Sequence, residues 1–126
     1  MRLLLDTHIF LWWTMQSKAL SKAAETLIQE ATAVYVSSAS LWEITIKKML
    51  NKIEVDLPSL GKAIEASGFL PLPITARHAI QVGELPPIHR DPFDRLLIAQ
   101  ALIEPLKFLT ADKSLLPYAP ELIEVI

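Results

Sequence analysis

The sequence predicts an α/β fold in three layers, with helices on both faces of a mainly parallel sheet of about five strands. Short apolar or β-branched runs recur along the chain, at Leu3–Leu5, Ala33–Val36, Phe69–Leu72 and Lys107–Thr110, with a fifth at Ile123–Ile126. Longer stretches with helical start and stop signals separate most of them. Strands that alternate with helices in this way form parallel sheets, because each crossover helix returns the chain to the same edge.

Leu3-Leu4-Leu5 is apolar at every position and stops at Asp6, the pattern of a strand buried on both faces. Thr7–Met15 reads as a helix rich in large apolar residues. Ser21 caps a second helix to about Ala31, with Ala24, Leu27, Ile28 and Ala31 as its apolar stripe. After Ala33–Val36 a helix is expected from Ser40 to Leu50, ended by Asn51 and Lys52. Pro58 opens another, which Gly68 stops. Thr75 caps a helix running to about Gly83, and Pro86–Arg90 reads as an irregular connector. Asp91-Pro92 is an N-cap followed by proline, opening a helix to about Ile103 that Pro105 closes.

The 126 residues fit one domain, 1–126, with neither repeats nor a low-complexity tract. Apolar residues make up 52%, enough for a core with some apolar surface left for a partner. The formal net charge of −2 does not advertise a nucleic-acid binder, so a phosphate partner has to be drawn by local features such as a bound cation. No cysteine is present, which excludes disulfides, thiolate zinc sites and a cysteine nucleophile. The first apolar run ends too early for a signal peptide, and no stretch reaches the roughly 18 apolar residues of a membrane span. The expectation is a cytoplasmic protein with no membrane association.

In an open α/β sheet, ligands bind outside the carboxyl ends of the strands. Asp6 follows the first strand and Asp112 the fourth. Glu43 is expected in the first turn of the helix after the second strand, and Asp94 in the first turn of the helix before the fourth. Four carboxylates far apart in sequence are thereby expected at one rim. Like charges so placed repel, and a divalent cation removes the penalty. Oxygen donors without cysteine select hard cations, Mg²⁺ or Mn²⁺, which activate water and stabilise a leaving phosphodiester oxygen. Each acid also has a plainer reading. Asp6 can cap the first helix, Ser40-Leu41-Trp42-Glu43 fits a capping box, Asp91 and Asp94 both suit a helix start, and Asp112 suits a turn.

Four segments, Leu5-Asp6-Thr7-His8, Ser40-Leu41-Trp42-Glu43-Ile44, Asp91-Pro92-Phe93-Asp94-Arg95-Leu96-Leu97 and Leu109-Thr110-Ala111-Asp112, resemble the acidic motifs of PIN domains. Their order and spacing are similar to those of VapC-like ribonuclease toxins of toxin–antitoxin pairs. The resemblance implies a PIN-like α/β/α sandwich and RNA cleavage dependent on Mg²⁺ or Mn²⁺. It also implies metal-site and catalytic acids at Asp6, Glu43, Asp94 and Asp112, with Asp91 a rival of Asp94. An antitoxin that covers the active site and a homodimer are implied by the same resemblance. His8 stands where many relatives carry asparagine.

Arg90, Arg95 and Lys113 are candidates for contacts to RNA phosphates, and Arg95 is equally suited to pair with a carboxylate. Lys47 and Lys48 read more simply as a solvated face. His8 and His89 are expected near the site and His78 away from it. Trp12 and Trp13, about 100° apart on a helix, fit either a partner surface or a deeply buried helix, and Trp42 is expected in the core. The competing functions are a PIN-type RNA-processing or structure-specific nuclease without a toxin role, a Mg²⁺-binding phosphoacceptor domain, and an inactive interaction module. The phosphoacceptor reading lacks its acidic pair after the first strand and its aspartate after the middle one.

Overall fold

A computed structural model describes residues 1–126. The elements, in chain order, are β1 (Arg2–Leu5), α1 (Thr7–Thr14), α2 (Lys22–Glu30), β2 (Ala33–Ser37), α3 (Ser38–Met49), α4 (Leu57–Ala66), β3 (Leu70–Leu72), α5 (Ala76–Gln81), α6 (Pro92–Ile103), β4 (Lys107–Thr110) and β5 (Ile123–Val125). Short 3₁₀ turns occupy Val82–Glu84 and Lys113–Tyr118. The five strands pair in the order β3-β2-β1-β4-β5, and every pairing is parallel.

β1 lies at the centre because, past the exposed Arg2 at its start, it has no polar side chain to keep wet. Leu3, Leu4 and Leu5 are fully buried, and they alternate between the two faces of the sheet. Leu3 and Leu5 join Phe10, Ile28, Val36, Ile44 and Leu109 in one core. Leu4 joins Leu97, Ile98, Phe108 and Leu115 in the other. Helices cover both cores, giving the three layers that the alternation of runs predicts.

The helix ends follow local chemistry. Ser21 Oγ accepts from Ala24 N–H, and Thr75 Oγ1 accepts from His78 N–H. α4 stops in a Schellman motif: Gly68 at φ 75° donates to Glu65 O while Phe69 N–H reaches Ile64 O. Asn51 (φ 56°) ends α3 in the same way, and Gln16 (φ 51°) ends α1.

Three expectations need correction. α3 starts at Ser38 rather than Ser40, because Ser37 is the residue whose Oγ caps it by accepting from Ala39 N–H. The capping box at Ser40 therefore does not form, and Glu43 sits in the second turn. Trp42 is not core: it is 57% exposed, its ring edge-on to Phe93 with centroids 5.1 Å apart. The helix after Thr75 ends at Gln81 and tightens into a 3₁₀ turn. Of the first helix, Phe10 and Leu11 are buried, whereas Trp12 and Trp13 are half-buried. Trp13 packs on Phe69 and donates from Nε1 to Ser67 Oγ at 3.1 Å.

Candidate metal centre

The strand order reverses at β1. The chain first winds outward through β2 and β3, then returns to add β4 and β5 on the other side. A crevice opens at such a switch point, outside the carboxyl ends of β1 and β4. Asp6 and Asp112 follow these two strands.

Asp6 is 5% exposed and fixed from three sides. Its backbone N–H donates to Leu109 O at 2.9 Å, continuing the β1–β4 ladder. Its Oδ1 accepts from Thr7 N–H at 2.8 Å, capping α1, and its Oδ2 accepts from Thr110 Oγ1–H at 2.7 Å. Thr110 Oγ1 in turn accepts from Asp112 N–H at 3.0 Å. One buried hydroxyl thus ties the ends of β1 and β4 together. Burial pushes the Asp6 carboxyl up, outweighing these hydrogen bonds.

Glu43 arrives from α3. Thr7 Oγ1 donates to Ser40 Oγ at 3.0 Å, joining the starts of α1 and α3. Glu43 is 6% exposed, and its Oε2 pairs with Lys47 at 3.1 Å. Its Oε1 is buried with no hydrogen-bond partner, the single such side-chain atom in the protein. An orphaned carboxylate oxygen costs on the order of 1–3 kcal/mol or more, so the site needs a partner that the chain does not supply.

Asp94 lies at the start of α6. Asp91 Oδ1 caps that helix, accepting from Phe93 N–H at 2.8 Å and Asp94 N–H at 3.2 Å. The cap occupies this Asp91 oxygen and leaves the Asp94 carboxylate without a capping bond. Burial pushes Asp94 up to about 8, helped by the charges of Asp6, Asp91, Glu43 and Asp112. The other three acids named by the motifs therefore all act on Asp94, and Glu43 acts on Asp6 as well. Asp112 is exposed, and bonds from Ser114 Oγ (2.6 Å) and Ser114 N–H (3.0 Å) hold its carboxyl low. His89 completes the rim, with ligand atoms of His89, Asp94 and Asp112 all within 4.8 Å of one another.

A second hydrogen-bonded network links the cap of α3 to α5 and α6. Ser37 Oγ bonds Gln100 Oε1 at 2.5 Å, Gln100 Nε2 lies 3.3 Å from His78 Nδ1, and His78 Nε2 lies 2.6 Å from Glu104 Oε2. His78 is fully buried in that network, away from the acids, as expected. His8 is exposed beside Trp12, yet close enough for its charge to act on Asp6 and Asp112.

The basic candidates separate by what they already hold. Arg95 is spent within the chain: its guanidinium donates to Val82 O (3.0 Å), Pro86 O (2.9 Å) and Tyr118 Oη (3.1 Å), and more weakly to Leu85 O and His89 O. It pairs with no carboxylate. Lys48 is likewise held, donating to Val55 O. Arg90 and Lys113 are exposed, and Arg90 lines a groove of about 400 Å³ with Glu43, Lys47, Lys52 and Phe93. The Arg95 cage carries a prediction. Arg95→Ala is expected to cost about 2–4 kcal/mol in urea unfolding, because several carbonyls lose a charged donor. Arg95→Lys is expected to restore little of it, since one ammonium cannot reach carbonyls on both sides of a guanidinium fork.

The donor set, carboxylates with one imidazole and no thiolate, suits a hard divalent cation, and the orphaned Glu43 oxygen fits the same conclusion. No helix of the chain is long and apolar enough to cross a membrane. The family model described as "PIN domain" matches residues 3–119, and the chain belongs to the PIN domain family. It is 30% identical over 114 residues to "Ribonuclease VapC22" of Mycobacterium tuberculosis, covering 89% of this chain and 88% of that protein. Among solved structures it is similar to VapBC2 from Rickettsia felis bound to a promoter DNA fragment, with TM-score 0.71, 17% identity and coverage of 99% and 98%. DNA-bound VapBC from Salmonella typhimurium gives TM-score 0.68 at 17% identity, covering 99% and 98%. A toxin–antitoxin complex from Klebsiella pneumoniae gives 0.65 at 16%, covering 97% and 95%. At these identities the structures establish the fold.

Proposed function

We propose that this chain is a metal-dependent endoribonuclease and the toxin of a VapBC-type toxin–antitoxin pair. The observation that carries the reading is the buried Glu43 oxygen that the protein leaves unpartnered, together with an Asp94 carboxyl that feels the charges of Asp6, Glu43 and Asp112. PIN-family membership and a relative named as a ribonuclease support it, as do structural neighbours that are toxin–antitoxin complexes.

Asp6, Glu43, Asp94 and Asp112 would hold Mg²⁺ or Mn²⁺. When bound, such an ion lowers the pKa of a coordinated water and stabilises the oxygen that leaves phosphorus. The chain's own contribution is position. Thr110 and Thr7 fix the Asp6 carboxylate, the Asp91 cap orients α6 so that Asp94 faces the rim, and Ser114 keeps Asp112 charged. Exposed Arg90 and Lys113 flank the acids and contact RNA phosphates, whereas Arg95 keeps its structural post. The partners under this reading are RNA, a cognate antitoxin and a second copy of the chain, in the cytoplasm.

The test is cleavage of RNA by the purified chain. Cleavage is expected with Mg²⁺ or Mn²⁺ and its loss in EDTA. Undiminished cleavage in EDTA would overturn the metal-dependent reading. Expression is expected to arrest growth, with relief by the product of a neighbouring small gene. A fully active nuclease that leaves growth unaffected would instead be an RNA-processing enzyme. Mapping RNA ends after brief induction, beside Asp6→Asn as control, identifies the substrate.

A further inference from the structure

We infer that His89 is itself a metal ligand, shared with Asp94 and Asp112, and that its imidazole makes the site prefer Mn²⁺ to Mg²⁺. The inference rests on the acidic metal site proposed above and adds a nitrogen donor to it.

Distance is the first argument. His89 Nδ1 lies 3.8 Å from Asp94 Oδ2. That is too long for a hydrogen bond. Two atoms each about 2.0–2.2 Å from one ion stand roughly 3–4 Å apart. The separation is therefore that of two donors facing a common guest, and Asp112 stands within the same 4.8 Å circle.

Anchoring is the second. The backbone of His89 is gripped at both ends: its N–H donates to Tyr118 Oη at 2.7 Å, and its carbonyl accepts from Tyr118 Oη–H at 3.2 Å. Arg95 adds a contact to the same carbonyl at 3.5 Å. The ring has one long hydrogen bond, in which Nδ1 accepts from Asp91 N–H at 3.3 Å, and a cation on Nδ1 would have to displace that bond. A loop residue whose main chain is locked, and whose ring is held by that one weak bond alone, is preorganised to bind. Nearby, the unpartnered Glu43 oxygen is 94% buried by its residue's exposure of 6%, and its charge reaches Asp94. The cluster therefore lacks a cation, and an added imidazole donor selects among the candidates. Imidazole nitrogen favours transition ions over Mg²⁺, which prefers oxygen and water.

The experiment uses the full metal-free chain with Mn²⁺ or Mg²⁺ as the only added ligand. Pulsed EPR of the Mn²⁺ complex is expected to show nitrogen hyperfine coupling, lost in His89→Ala. Calorimetric titration is expected to show Mn²⁺ affinity falling about tenfold or more in His89→Ala, with Mg²⁺ affinity falling much less. Absence of nitrogen coupling in the wild type needs no variant to interpret and overturns ligation. Unchanged Mn²⁺ affinity in His89→Ala overturns it too, leaving His89 a neighbour of Asp94 only. Equal losses for both ions overturn the preference. Asp94→Asn separates the two levels: if it binds Mn²⁺ as well as wild type does, the acidic site itself is wrong, whatever His89 does.

Discussion

Asp94→Asn is expected to reduce RNA cleavage by on the order of 10³-fold or more while leaving the fold intact. The amide keeps the size and planarity of the carboxylate, and its backbone N–H still serves the Asp91 cap. What it removes is one of the four carboxyl groups proposed to hold the cation. Asp94 is the acid on which the others converge, since Asp6, Asp91, Glu43 and Asp112 all raise its proton affinity. The same substitution should not lower the melting temperature of the metal-free protein at pH 8, and is expected to raise it. Loss of activity accompanied by unfolding would show a structural role instead. Retained activity would remove Asp94 from the metal site.

The second large effect is a fall in the stability of the metal-free protein as pH rises. Asp94 is held at about 8 in the folded chain against an ordinary value of 3.8. A carboxyl whose value is raised by folding stabilises the native state while protonated. That contribution is complete below about pH 4 and is lost as pH climbs through about 8. Asp6 shifts in the same direction, from burial. Asp112 shifts the other way, so its small contribution disappears only in acid, and its exposure leaves it heavily screened. The expected loss between pH 4 and pH 9 is on the order of 3–5 kcal/mol, read from urea unfolding in EDTA. Asp94→Asn should flatten most of the slope, and saturating Mg²⁺ should restore stability by binding the native state alone. A stability that is level or rises over this range would contradict the proposed crowding of charge.

Much of this arrangement is legible in the chain. Three leucines in a row have no solvated face, so β1 had to be central, and the acid that ends the run had to stand at its carboxyl edge. The Asp-Pro pair announces α6 and so places Asp94 in its first turn. The start of α3 was not legible to the residue. Ser37, Ser38 and Ser40 are equally good caps, and the choice falls to Ser37 because β2 ends there and Gln100 from α6 waits for its hydroxyl. Exposure of Trp42 was hidden for a related reason. Periodicity finds apolar residues on a helix but does not say which neighbour covers each, and Ile44 takes the buried side. The cage around Arg95 draws on carbonyls 6–13 residues away in an irregular connector, where no sequence pattern marks a carbonyl's direction. The position of His89 depends on the same connector and on Tyr118 beyond it.

The hydroxyl that joins Thr110 to Asp6 spans 104 residues of sequence. A chain still emerging from the ribosome therefore has its first acid long before it has the threonine that positions it. Asp6, Glu43 and Asp94 are all made before β4, but until β4 docks beside β1 the Asp6 carboxylate lacks the hydroxyl that holds its Oδ2. The floor of the site is therefore set late in synthesis, when the strand that closes it has folded.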